Sequence, residues 1–293
     1  MPELPEVETV RRGLAAKLTG ATVSEVKVLA DRSIREHELG KKDFASQLKN
    51  HQISWFSRRG KFLWAPLVGK NSSASQALII HLGMSGQALV QPVGSELGKH
   101  VRVKIGFKDL PWEMHFTDQR MFGGMHVDDL VELDSGEKLP QRVLHISRDA
   151  LDPKIDFLQV ATEIKRRNAG IKSLILNQGI VSGIGNIYAD EALWRAKIHY
   201  ATPGNALSKP KILALLEAAA EVMTEAVKQG GTSFDAQYVD TEGNAGWFSV
   251  QLNAYGQQGM PCTRCGREIV REAWSNRSSH RCPRCQPKRS GSR

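Results

Sequence analysis

Cys262-Thr-Arg-Cys265, then sixteen residues, then Cys282-Pro-Arg-Cys285, is the stretch on which the class of this chain turns. Each Cys-x-x-Cys pair suits a tight turn that aims two thiolates at one point. Two such turns complete a closed tetrahedral site of four thiolates, the spacing of a zinc ribbon. With no open position the metal is structural. One Zn2+ would give this short segment folding energy on the order of 10 kcal/mol or more, which so small a core does not supply. Two unrelated turn pairs or a redox dithiol are the competing readings, and both pairs at this spacing speak against them.

Residues 262–293 hold nine Lys/Arg and two acids, Glu268 and Glu272, for a net of +7. A basic β-hairpin on a zinc site suits the backbone of a duplex, and strands also enter a groove. A solvated basic tail is the plainer alternative. The whole chain nets +9 over 293 residues, so everything outside the ribbon nets only +2. Such a balance favours a polyanionic partner, nucleic acid or an anionic membrane.

The apolar share of 41% and charged share of 24% are those of an ordinary globular protein, and the length suits two domains with an appendage. The start, Met1-Pro-Glu-Leu-Pro-Glu6, is acidic and proline-rich, unlike a secretory signal. No apolar run reaches membrane-spanning length. All four cysteines lie between 262 and 285, which argues against a disulfide-stapled secreted protein and for a reducing, intracellular compartment.

Periodicity divides the chain. Val7, Val10, Leu14 and Leu18 repeat at helical spacing, so 5–20 is expected to be a helix stopped by Gly20. From about 22 to 147 the period is two, as in Val101-Arg-Val-Lys-Ile105, which suggests a β-sandwich or barrel-like layer. The pattern changes at Asp149-Ala-Leu-Asp-Pro153, expected to be the interdomain linker. Helices follow, one long helix carrying Ile212, Leu215, Leu216, Ala219, Val222, Met223, Ala226 and Val227 and ending at Gly230-Gly231. The expected fold class is α+β multidomain: a β-sandwich with flanking helices over 1–150, a helical domain over 151–254, the ribbon over 255–289 and a tail over 290–293. The stretch 232–254 reads as a long loop, and the last residues from Lys288 as disordered.

Pro2 is a small penultimate residue, so removal of Met1 would expose a secondary amine beside the Glu3 carboxylate. A free α-amine titrates near neutrality and is a competent covalent catalyst. Condensed with a sugar aldehyde, a secondary amine gives a permanently charged iminium, which acidifies the adjacent C2′ hydrogen and invites β-elimination. Glu3 is placed to shuttle protons and Glu6 to support the site from the first helical turn. From these residues alone, an uneventful frayed terminus is the competing reading.

The whole string decides between them. Met1-Pro-Glu-Leu-Pro-Glu-Val-Glu-Thr9 resembles the N-terminus of formamidopyrimidine-DNA glycosylases. The likeness continues in order through Arg59-Gly-Lys61, His81-Leu-Gly-Met-Ser-Gly86, Asp118-Gln-Arg-Met-Phe-Gly123, Gly183-Ile-Gly-Asn-Ile-Tyr-Ala-Asp-Glu191 and the terminal ribbon. The resemblance implies that 151–254 is a helix–two-turn–helix domain with a lesion-capping loop. It implies a bifunctional enzyme of base excision repair, removing 8-oxoguanine and formamidopyrimidines and then cleaving the abasic strand by β- and δ-elimination. Its expected substrate is double-stranded DNA containing oxidised purines. The expected setting is the bacterial cytoplasm at the nucleoid, as a monomer with no membrane partner and one structural Zn2+ per chain.

By the same resemblance Pro2 is the nucleophile and Glu3 the proton donor. Lys61 contacts phosphate and moves protons in elimination, and Arg277 grips phosphates by the lesion. A flipped-out base leaves a gap in the stack, filled in the family by residues matching Met84, Arg120 and Phe122. Arg120 would also hydrogen-bond the estranged cytosine. His100, Arg167 and Asn186 match DNA contacts, Asn186 on a glycine turn suited to phosphate. Taken alone, Met84 and Phe122 read as core residues, and Lys61 and Arg277 as surface charges.

The chain departs from the family at Gln119 and Met121, where a proline and a second arginine are common, and at Gln257-Gln258, where a basic residue is common. The loop 233–247 is individual. Two alternatives stand: an endonuclease VIII-like glycosylase for oxidised pyrimidines, which Leu4 and the Met84/Arg120/Phe122 set oppose, and a zinc-ribbon DNA-binding protein that has lost catalysis.

Overall fold

The structure, a computed structural model, describes residues 2–69, 73–231, 241 and 252–288. The expected lesion-capping loop over 233–247 lies outside the described residues apart from Thr241, as do Met1 and the tail beyond Lys288. The chain divides into two compact units, Met1–His145 with Gly230–Trp247, and Ile146–Gln229 with Phe248–Arg293.

In the first unit, helix α1 (Leu4–Leu18) has Pro in its first turn and buries Val7, Val10, Leu14 and Leu18 on one face. The helix stops at Thr19, and Gly20 follows at φ 80°. The remaining elements are β1 (Val23–Val28), a 3-10 turn (Asp31–Ile34), α2 (Gly40–Leu48), β2 (Gln52–Ile53), β3 (Ser57–Arg59), β4 (Phe62–Val68) and β5 (Gln76–His81). Then come β6 (Gly86–Pro92), β7 (Val101–Phe107), β8 (Trp112–Asp118), β9 (Gly124–Glu132) and β10 (Lys138–Pro140).

The strands form the expected two antiparallel layers, one ordered β1-β7-β8-β6 and the other β10-β9-β5-β4-β2, with β3 also paired to β4. In β7 the buried Val101, Val103, Ile105 and Phe107 alternate with half-buried Arg102, Lys104 and Gly106, the signature of a layer covered on one face. Leu63, Ala65, Leu78 and Ile80 share one core with Val103, Ile105, Met114 and Phe116. The apolar face of α1 joins that core. Each such Val, Leu, Ile or Phe stabilises the fold by roughly 1.5–3 kcal/mol of burial. The start of α1 is therefore held by the sandwich itself.

The second unit opens with α3 (Phe157–Lys165), whose N-cap Asp156 accepts from the Leu158 and Gln159 amides at 2.8 and 3.0 Å. It continues through α4 (Ile171–Ile175), α5 (Asn186–Ala196) and α6 (Lys209–Lys228). α6 begins with a Pro in its first turn and lays Ile212, Leu215, Leu216, Ala219, Val222, Met223 and Ala226 inward, as the periodicity predicts, while Val227 in the last turn is only half-buried. The unit ends in a hairpin, β11 (Val270–Trp274) and β12 (Arg277–Arg281). Ser275 and Asn276 turn it at φ 42° and 59°, the left-handed pair that a two-residue hairpin matched to strand twist requires.

Candidate functional site

The N-terminal end of α1 collects acids where the helix dipole favours them. The Glu6 carboxylate accepts from the Glu3 backbone N–H at 2.8 Å, which locks the chain as it enters the helix. Pro2 is buried, Glu3 is 2% exposed and Glu6 7%. Pro2 and Glu6 line a small cavity with Val10, Leu82, Gly86 and Gly230. Gly231, at φ 86°, lies so close that a Cβ there would come within 2.9 Å of Glu6 Oε1. Gly231, expected with Gly230 only to stop a helix, is thus also what leaves room for Glu6.

Lys61 sits in the β3–β4 turn, opened by Gly60 at φ 57°. Strand pairing sets Phe62 opposite His81, with their rings 4.9 Å apart, so the Lys61 turn lies beside the end of β5. Burial, then the charges of Lys61 and Arg35, hold the His81 pKa below its ordinary value. The turn is tied to α1 through Arg58. Its guanidinium donates to Glu8 at 3.2 Å and to the Gly60 carbonyl at 3.1 Å. Glu8 also takes Arg11 and Arg12, each at 2.8 Å. Burial raises the Glu8 pKa, but the hydrogen bonds and charges of these arginines more than offset it and hold it at about 2.

Met84 lies on the loop between β5 and β6, and Arg120 and Phe122 on the loop between β8 and β9. The loops meet at glycines: a Cβ on Gly83 would fall 2.3 Å from the Gly123 amide and 2.4 Å from the Phe122 carbonyl carbon. Asp118, fully buried, joins them. It accepts from Ser85 Oγ at 2.5 Å, from the Arg120 amide at 3.1 Å and from the Gly123 amide at 2.7 Å. The result displays an aromatic outward. Phe122 is 46% exposed, with the Arg120 guanidinium 5.3 Å from its ring centroid. Read alone as a core residue, Phe122 is therefore a correction, because its backbone is held inside while its ring is not. His100 is tied to the same loop, its carbonyl accepting the Asp118 amide at 2.9 Å.

In the second unit the structure brings Asn186 and the Arg277 hairpin together. Asn186, the first residue of α5, donates from Nδ2 to the Ser278 carbonyl at 3.1 Å, next to exposed Arg277. The same carbonyl accepts Lys172 Nζ at 3.1 Å. One turn along α5, Asp190 accepts from Ser279 Oγ at 3.0 Å and from the His280 amide at 2.8 Å. Next to it, the Glu191 carboxylate accepts the Asn253, Ala254 and Tyr255 amides, and burial raises its pKa in spite of them. Arg167 is elsewhere, at the exposed end of α3, where Glu163 holds it at 3.0 Å. Lys172 and Arg58 were not singled out by sequence reasoning. A lysine within Ile171-Lys-Ser-Leu-Ile175 was the available signal for the first; Arg58 had none.

Cys262, Cys265, Cys282 and Cys285 place their sulfurs within 4.8 Å of one another, with Cys265–Cys282 at 3.5 Å and Cys265–Cys285 at 3.6 Å. A zinc–sulfur length of about 2.3 Å in a tetrahedron requires edges near 3.8 Å, so the four thiols fit the ion. Burial, then the neighbouring sulfurs, push the Cys285 thiol up to about 12. Burial also raises Cys262, but the Arg264 amide, the Trp194 indole and the Cys265 amide outweigh it and bring that thiol down to about 7. Arg264, inside the first Cys-x-x-Cys turn, stacks 3.6 Å from the Trp194 ring and donates to the Trp194 carbonyl at 2.6 Å, capping the end of α5.

Comparison with known proteins agrees with this geometry along the chain. Residues 1–125 match the formamidopyrimidine-DNA glycosylase N-terminal domain, 146–237 its H2TH domain, and 259–288 the zinc finger found in FPG and IleRS. The formamidopyrimidine-DNA glycosylase of Rhodococcus erythropolis is 50% identical over 98% of this chain and 97% of its own. That of Thermobifida fusca is 47% identical, covering 98% of each. Among solved structures, Lactococcus lactis Fpg bound to abasic-site DNA superposes with TM-score 0.83 at 29% identity, covering 98% of this chain and 100% of that one. With its sandwich, its helical domain and its four-cysteine ribbon all accounted for, this chain belongs to the formamidopyrimidine-DNA glycosylase family.

Proposed function

We propose that this chain removes oxidised purines from duplex DNA and then cleaves the abasic strand, with the following division of labour. The amine of Pro2, freed by loss of Met1, attacks C1′ of the flipped nucleotide. The glycosidic bond breaks and the base departs with a proton; the C1′–O4′ bond then opens, O4′ taking a proton as the nitrogen lone pair forms the C1′=N+ iminium on the opened sugar. That charge acidifies C2′; loss of its proton breaks the 3′ C–O bond, and a second elimination releases the 5′ phosphate. Hydrolysis of the iminium then frees Pro2. Glu3 carries the protons at O4′ and C2′, and Glu6 fixes Glu3 through its backbone N–H. Lys61 and Arg277 meet the flanking phosphates, as do His100, Arg167 and Asn186. Met84, Arg120 and Phe122 fill the vacated stack.

The observation that carries this reading is the cavity in which Pro2 and Glu6 face Leu82 and Gly86, residues that bracket the Met84 loop. A nucleophile in that cavity beside the Met84 loop supports this division of labour. The four cysteines bind one structural Zn2+. Among the described residues no helix is long and apolar enough to cross a membrane. The enzyme works as a monomer in the bacterial cytoplasm, at the nucleoid, with no membrane partner. Borohydride added during reaction with an 8-oxoguanine:C duplex should trap a covalent adduct at Pro2, and a thymine-glycol duplex should trap less. No adduct from protein lacking Met1 overturns the reading, and preference for thymine glycol overturns its substrate.

A further inference from the structure

The loop from Gln119 to Gly123 contains no proline, yet it holds a conformation that needs outside support. Met121 sits at φ 53°, where residues with a Cβ are disfavoured. Such a residue persists only where its surroundings over-determine it. Asp118 holds the inner side through the Arg120 and Gly123 amides. The outer side is held by a residue 87 positions away from Phe122. Arg35, just past the 3-10 turn, donates from Nη2 to the Phe122 carbonyl at 3.0 Å and from Nη1 to the Gly123 carbonyl at 2.9 Å. Arg35 is itself fixed by the Arg32 carbonyl at 3.0 Å and faces the Glu36 carboxylate at 3.6 Å.

We propose that Arg35 is a positioning residue for base eversion: its fork grips two successive carbonyls and keeps the Arg120–Phe122 wedge in its inserting shape before DNA arrives. The geometry of the grip needs a planar fork with two donors, which a lysine cannot reproduce. The wedge is needed only where a base leaves a stack, so strand cleavage at a preformed abasic site in single-stranded DNA does not need it. The inference rests on Phe122 and Arg120 filling the gap.

Purified Arg35→Ala, Arg35→Lys, Ser85→Ala and Phe122→Ala proteins would be compared on two substrates, an 8-oxoguanine:C duplex and a single strand with a preformed abasic site. Ser85→Ala removes the hydroxyl that links Asp118 to the Arg120 amide. The expected result is a loss of duplex excision of about tenfold or more in both Arg35 variants and in Ser85→Ala, with single-strand cleavage within about twofold of the parent. Discrimination between C and A opposite the lesion should fall with it. Wild-type duplex excision by Arg35→Lys, or equal loss on both substrates, overturns the proposal. If Phe122→Ala itself excises normally from the duplex, the wedge reading fails instead, independently of Arg35.

Discussion

Lys172 Nζ lies 2.6 Å from Asp190 Oδ1, and neither side chain has any exposure to solvent. The pair joins α4 to α5, and through the Ser278 carbonyl, Ser279 and His280 it holds the hairpin that carries Arg277. Breaking one partner strands a buried charge, whereas replacing both with apolar groups removes the desolvation penalty as well. Asp190→Asn should therefore lower the unfolding free energy by about 3–5 kcal/mol in denaturant titration, and the Lys172→Met/Asp190→Leu double variant should recover much of it. A single variant as stable as the parent would refute the role of the pair.

Zinc removal should act on DNA binding without regard to sequence. The β11–β12 hairpin carries Arg271, Arg277 and Arg281, with Arg277 beside its turn, in the same segment that the four cysteines close. Chelation should weaken binding to undamaged duplex and flatten its salt dependence by about 0.9 in log–log slope for each phosphate the ribbon no longer neutralises. Fluorescence anisotropy across a salt series measures both, and unchanged affinity would exclude the ribbon from binding.

Acid should unfasten α1 from the Lys61 turn. The folded pKa of Glu8, about 2, lies below its ordinary 4.5, so its stabilising contribution is full above about 4.5 and is lost as pH falls toward about 2. That contribution is at most about 3 kcal/mol at neutral pH. Thermal unfolding of the parent and Glu8→Gln should differ most near neutrality and converge through this window. A gap that widens on acidification contradicts the assignment.

Pro2→Gly, with Met1 removed, keeps an amine but not a secondary one, and should trap and cleave more slowly. Protein retaining Met1, verified by mass spectrometry, should not cleave at all, since an amide nitrogen is no nucleophile. Cleavage at the parent rate by the Met1-bearing form would place the nucleophile elsewhere.

Much was legible in the residues themselves. The helix of α1, the period-two strands, the long α6 and the thiol spacing follow from local rules: which positions are apolar, where proline and glycine interrupt, how far apart two turns put four sulfurs. These signals are short-range, so they survive in a linear string. The His81–Gly86 and Asp118–Gly123 stretches were visible as motifs, but Ser85 and Asp118 inside them carried no local sign of what they do.

The sequence by itself therefore determined the elements, the metal-ligand set and the family. Only the tertiary structure decided that Phe122 presents its ring outward, that Gly231 makes room for Glu6, that Arg58 ties Glu8 to the Gly60 carbonyl, that Lys172 is buried against Asp190, and that Arg35 grips the Phe122 and Gly123 carbonyls. Each joins residues distant in the chain, or turns on whether a polar group ends up buried with a partner. A buried arginine, lysine or aspartate looks like any surface charge until the fold supplies the group that pairs with it.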